Sequence, residues 1–185
     1  MIRRLATGLV VLLALEGPAF AHALDEYVQA TLISIETDRV RVSMRLVPGV
    51  AVFPAVFGAI DTDGDQVLSE AERRQYAERV LSELSLSIDG NALKLQFVSV
   101  DFPATEQLRE GLGEIRIELT ARLPPGGRDR KLVFENHHQT WISAYLVNCL
   151  VPRDSRIQVV AQDRSRNQAR YQLDYRQTDV AFRPR

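Results

Sequence analysis

Cysteine is almost absent: Cys149 is the only one in 185 residues. That excludes an intramolecular disulfide framework, a CxxC redox pair and a zinc ribbon. An excess of one charge is also missing. Lys and Arg number 23, Asp and Glu 24, for a net charge of −1. This excludes the basic footprint that binding nucleic acid through counterion release requires, so no nucleic-acid partner is expected. No run of about 20 apolar residues occurs, so no segment meets the usual length for a membrane span. There is no G-x-S-x-G, no phosphate-loop pattern, and no visible nucleophile–base pair, so nothing in the chain reads as an enzyme. Repeats and low-complexity tracts are lacking too. What is there is ordinary globular composition, 45% hydrophobic and 25% charged, at a length that suits one domain.

Residues 1–21 read as a secretory signal peptide. Arg3 and Arg4 supply the positive start, Leu9 to Leu15 the apolar run, and Ala19-Phe20-Ala21 the small-residue cleavage site. Cleavage after Ala21 leaves a mature chain that starts at His22, and Ala21-His22-Ala23 offers a second site that would give Leu24. The expectation is a periplasmic or secreted protein that does not itself span the membrane once the signal is removed. A terminal amine together with the His22 imidazole is a ligand pair that suits Cu or Ni.

Residues 22–185 then form a single β-rich domain. Apolar and polar residues alternate over Tyr27–Glu36, Arg39–Val47 and Ile115–Leu123, the period-two signal of half-buried strands. Asp89-Gly90 lies between Leu84-x-Leu86-x-Ile88 and Leu93-x-Leu95-x-Phe97 and predicts a hairpin. Further strands are expected at Lys131–Asn136, Ile142–Leu150, Arg156–Ala161 and Arg170–Tyr175. About nine strands at this spacing imply a mainly β protein, an antiparallel β-sandwich. Cys149 falls in an apolar strand, where a buried, unreactive thiol is expected. His137 and His138 are adjacent at a strand end. Neighbours on a strand face opposite ways, so a satisfied interior histidine is the better reading than a paired ligand site.

The exception is the segment at about 54–83. Pro54 can open a short helix running to about Ile60. Tyr76, Val80 and Leu84 stand four apart, predicting a second helix from Ser69 to about Glu83. Between them lies Asp61-Thr62-Asp63-Gly64-Asp65-Gln66-Val67-Leu68-Ser69-Glu70-Ala71-Glu72. This loop resembles the EF-hand pattern D-x-[DN]-x-[DN]-G-x5-E. The expected cofactor is Ca²⁺, a hard cation that takes about 6–8 oxygen ligands. Asp61, Asp63, Asp65 and Glu72 supply carboxylates, Val67 a backbone carbonyl, and Ser69 a direct or water-mediated contact. Leu68 would pin the loop to the core. One departure matters: Gln66 stands where the pattern has Gly. A residue other than glycine in the left-handed conformation costs about 1 kcal/mol, so weak binding is expected, roughly 10⁻⁴–10⁻³ M. The competing reading is a capped turn, since Ser69-x-x-Glu72 is also a capping box. Three alternating aspartates nevertheless repel one another unless a cation sits among them.

His22-Ala23-Leu24-Asp25-Glu26-Tyr27 and Tyr145-Leu146-Val147-Asn148, together with the inserted acidic loop, resemble the extracytoplasmic N-terminal domains of bacterial permeases. Those are of the hydrogenase/urease-accessory and nickel/cobalt-exporter type. This sequence carries no membrane segments, so the resemblance implies a free-standing relative and does not carry transport over. Two functions lead: structural calcium binding by an exported, non-enzymatic protein, or a periplasmic interaction module that partners a membrane or periplasmic protein such as a metal transporter, without functional calcium; an enzyme whose site is assembled from distant residues ranks last.

Overall fold

The computed structural model describes residues 25–178. Residues 1–21, read above as a signal peptide, the expected cleavage site and His22 lie outside the described residues. Strands β1 (Tyr27–Ile35) and β2 (Arg39–Pro48) open the fold, followed by helices α1 (Phe53–Ile60) and α2 (Glu70–Ser82). Then come β3 (Leu84–Ile88), β4 (Asn91–Ala92), β5 (Gln96–Asp101) and the single-turn helix α3 (Thr105–Arg109). The chain ends with β6 (Ile115–Arg122), β7 (Asp129–Asn136), β8 (Ser143–Cys149), β9 (Ile157–Arg164) and β10 (Arg170–Gln177). They form two five-stranded sheets, ordered β5-β6-β2-β1-β8 and β4-β3-β7-β10-β9.

The alternation seen in the sequence becomes the inner face of each sheet. Val42 pairs with Leu119 and Met44 with Ile117 across β2 and β6. All four side chains are buried, as are Leu132 and Phe134 of β7 and Tyr171, Leu173 and Tyr175 of β10. These residues belong to one continuous core that both sheets and both longer helices feed. On the outer side of β2, Arg39, Arg41 and Arg45 remain exposed. A one-residue slip of register would exchange these arginines with Val40, Val42 and Met44, which is why the pairing is unique.

The mainly β expectation holds, with two differences. The sheets are not wholly antiparallel: β1 runs parallel to β8, Ala30 opposite Leu146. A parallel pair cannot be closed by a hairpin, and here the chain passes repeatedly between the sheets before β8 returns beside β1. The expected hairpin arm over Leu93–Phe97 is also cut short. Asp89 and Gly90 do turn with φ of 52° and 82°, as a two-residue primed turn requires. The second arm, however, stops at Ala92. Leu95 is buried while the chain crosses over, and β5 joins β6 in the other sheet. An extended crossing segment and a strand share the same apolar alternation. The register shift between Phe97 and Ser99 is a bulge-like irregularity that erased the period of β5 itself.

Candidate metal centre

Helices α1 and α2 flank the acidic loop. Pro54 sits in the first turn of α1, where its missing N–H costs nothing. The Asp61 N–H bonds to the Phe57 carbonyl at 2.8 Å and closes that helix. Ser69 is the N-cap of α2. Its hydroxyl accepts from the Glu72 N–H at 3.3 Å, and the Ser69 N–H donates to Glu72 Oε2 at 2.9 Å. Both halves of the capping box are therefore present. Leu68 is buried and anchors the loop's end in the core. Arg79 Nη1 donates to the Ala59 carbonyl at 3.3 Å, tying the two helices together.

Between the caps, the loop curls around its own carboxylates. Asp61 is buried, and its two oxygens accept from the N–H groups of Gly64 at 2.9 Å and Gln66 at 3.0 Å. Asp63 accepts from Asp65 N–H at 3.1 Å, and Asp65 from Val67 N–H at 2.7 Å. Each of these aspartates contributes an oxygen to a group lying within 4.8 Å of one another. Two ligands at about 2.4 Å on opposite sides of one calcium ion stand that far apart. Asp63 and Asp65 are exposed, so a cation reaches them from solvent. Gln66 has a φ of 66°: position six of the loop is left-handed, as the pattern demands, although the residue is not glycine. Gly64 takes a second left-handed turn, at 76°.

The other expected ligands are placed differently. Glu72 is not in the aspartate group. Its Oε1 accepts from the Thr62 N–H at 2.7 Å, and its Oε2 from Ser69 N–H and from Ser69 Oγ at 2.8 Å. The Ser69 N–H, then the Ser69 hydroxyl and the Thr62 N–H, hold its carboxyl down to about 2, since hydrogen bonds to the ionised form favour it. Ser69 Oγ is committed to Glu72. The Val67 side chain is exposed, and its N–H is used by Asp65.

His137 is exposed, whereas His138 is completely buried and bonded through its ring, its N–H and its carbonyl. The acid that meets His138, Glu83, was invisible as its partner because 55 residues separate them. The Cys149 thiol is half-buried, and burial pushes it up to about 11, which makes it a poor nucleophile at neutral pH. A groove of about 520 Å³ runs between α2 and β5, lined by Arg73, Ala77, Phe97, Val100 and Phe102. No helix among the described residues is long and apolar enough to cross a membrane. No protein-family model matches the chain, and comparison with curated proteins finds no match.

Proposed function

We propose that this is an exported, non-enzymatic calcium-binding protein whose EF-hand-like loop holds one Ca²⁺ as a structural clip. The convergence of Asp61, Asp63 and Asp65 within 4.8 Å between two helices carries the reading. Each carboxylate keeps lone pairs beyond those given to loop N–H groups. The backbone carbonyl of Val67 and the side chains of Ser69 and Glu72 complete the proposed shell, the last two by exchanging hydrogen bonds for the ion. Bound calcium would cancel the repulsion among three aspartates and fix α1 against α2. It would stabilise the fold according to free Ca²⁺ relative to Kd.

The test is calcium titration calorimetry on chelator-treated protein, with Asp63→Ala/Asp65→Ala as control. One-site binding in the native chain that vanishes in the control supports the reading. Absence of heat, with no calcium-dependent rise in Tm, overturns it and leaves a capped turn.

A second reading, a periplasmic interaction module serving a membrane metal transporter, is favoured by the exposed apolar residues Trp141, Leu146, Leu150 and Val151 at and around β8. Recovery with a membrane protein, unchanged by chelator and lost with Trp141→Ala, would support that reading over the calcium clip.

A further inference from the structure

We propose that His138 is the centre of an acid-sensitive latch that holds helix α2 to both sheets. The latch is a chain of four side chains from three parts of the fold, two of them on α2. Tyr27 begins β1, Tyr76 lies in the middle of α2, His138 follows β7 in the other sheet, and Glu83 caps the C-terminus of α2. The Tyr27 and Tyr76 hydroxyls are 2.7 Å apart, and the Tyr76 hydroxyl is 2.9 Å from His138 Nε2. His138 Nδ1 bonds to Glu83 Oε2. Tyr27, Tyr76 and His138 are at most 1% exposed, while the Glu83 side chain is 37% exposed.

Proton bookkeeping gives the chain one direction. An ionised carboxylate only accepts, so Glu83 keeps the proton on Nδ1. Nε2 must then accept from Tyr76 O–H, and the Tyr76 oxygen accepts from Tyr27 O–H. Every donor has an acceptor. A second proton on the ring turns Nε2 into a donor and reverses the chain. The Tyr27 and Tyr76 hydroxyls then have only each other's oxygens to donate to, so one of the two O–H groups is left without an acceptor among the described residues, at a site that is at most 1% exposed. A buried donor in that state is unfavourable.

The surroundings add nothing that would welcome the charge except Glu83. Burial is the largest effect; with the like charge of Arg79 on α2 it outweighs the hydrogen bond and charge of Glu83 and holds the imidazole below its usual range. From β1, Tyr27 packs edge-on at 6.0 Å and Gln29 Nε2 donates to the His138 carbonyl. From β8, Ser143 and Tyr145 donate to the same carbonyl, and Asn136 at the end of β7 accepts its N–H. Glu135 and His137 pair with each other at 3.7 Å. Four hydrogen bonds thus hold the backbone of His138, and its ring is fully enclosed where α2 meets both sheets.

The sign follows. A histidine held neutral in the fold and free to charge when unfolded gives stability that is complete above about pH 6.5, its unfolded value. That stability is lost as pH falls from there toward the lower folded value. In chelator, where calcium plays no part, the unfolding equilibrium constant of the full chain should rise by up to tenfold per pH unit between about pH 6.5 and 5. His138→Gln, which can still accept from Tyr76 and donate to Glu83, should flatten that slope. Parallel slopes in the two proteins would overturn the latch. Nitrogen-15 NMR of the unsubstituted chain decides independently of any variant. The latch requires a neutral His138 with its proton on Nδ1 at pH 6.5. A ring charged there, or protonated on Nε2 alone, would sink it.

Discussion

Glu72 reaches back across the whole loop to Thr62: its Oε1 accepts the Thr62 N–H at 2.7 Å while its Oε2 closes the Ser69 cap. One carboxylate therefore joins the loop's first turn to the helix that ends it. The same bonds hold its pKa at about 2. A depressed carboxylate contributes stability that is present above its unfolded value, about 4.3, and lost as pH falls toward 2. Asp154, held at about 2 by Arg156, titrates in the same window. The expected result is a shallower loss of stability between pH 4.5 and 2 in Glu72→Gln than in the native chain. Equal acid profiles would mean that the capping box does not hold the ionised form.

Ser69→Ala removes the other half of the box. The α2 cap loses the hydroxyl that satisfies the Glu72 N–H, and loss of such a cap costs about 1 kcal/mol. Denaturant unfolding should show that loss with an unchanged m-value. Ser69→Asp, which can cap in the same way, should recover most of it.

Much of this was legible in the sequence, and the reasons differ by element. Strand β2 reads cleanly because Val40, Val42, Met44 and Leu46 face a core while its arginines face water. Helix α2 reads from its Ser69 cap and from the Tyr76–Val80 spacing. Strand β5 did not read, because all six of its residues are exposed and its register shifts; with no buried face there is no period to detect. The parallel pairing of β1 with β8 is a decision of the whole topology that no local pattern encodes. At the candidate site, the acidic spacing named the three aspartates that converge. The side chains of Glu72 and Ser69 proved to be engaged with each other, an option that the capping-box pattern had already offered.

Arg130 and Asp89 give a third prediction. The Arg130 side chain is 3% exposed, and its Nε donates to Asp89 Oδ2 at 2.6 Å. Asp89 also accepts the Lys131 N–H at 2.8 Å from within the tight turn of β3 and β4. Asp89→Ala leaves a buried guanidinium whose one remaining partner among the described residues is the Pro124 carbonyl. Breaking a fully buried pair costs about 3–5 kcal/mol. Asp89 is a third exposed, so water screens part of the loss and about 2 kcal/mol is expected. Asp89→Asn keeps an acceptor and a residue tolerant of positive φ, and should lose less in the same melt. Equal losses would assign the role to charge rather than to the acceptor.

Gly113 tests the short helix α3. Its N–H bonds to the Gln107 carbonyl at 2.8 Å, folding the chain back over the helix end. A Cβ there would stand 3.0 Å from the Gln107 carbonyl carbon and 2.9 Å from Pro103 Cγ. Neither is the free end of a flexible side chain. Gly113→Ala should therefore cost about 1–3 kcal/mol, as overpacking does. The α3 amides should lose hydrogen-exchange protection ahead of those in β2. A neutral substitution would show that this closure is loose in solution.

Asp61 and Asp65 separate a loop that merely folds from one that also holds calcium. Asp61 is buried and binds two loop N–H groups with its two oxygens. Removing it orphans both donors with or without an ion, and Asp61→Ala should lose about 1–3 kcal/mol even in chelator. Asp65 is exposed and binds only the Val67 N–H. Water can replace it, so Asp65→Ala should cost under about 1 kcal/mol in chelator. The informative quantity is the rise in Tm when millimolar calcium is added. If the three aspartates share an ion, that rise shrinks sharply in Asp65→Ala although the chelated protein is nearly as stable as the native one. If the rise survives, Asp65 is no ligand, and the aspartates serve only to turn the chain between α1 and α2.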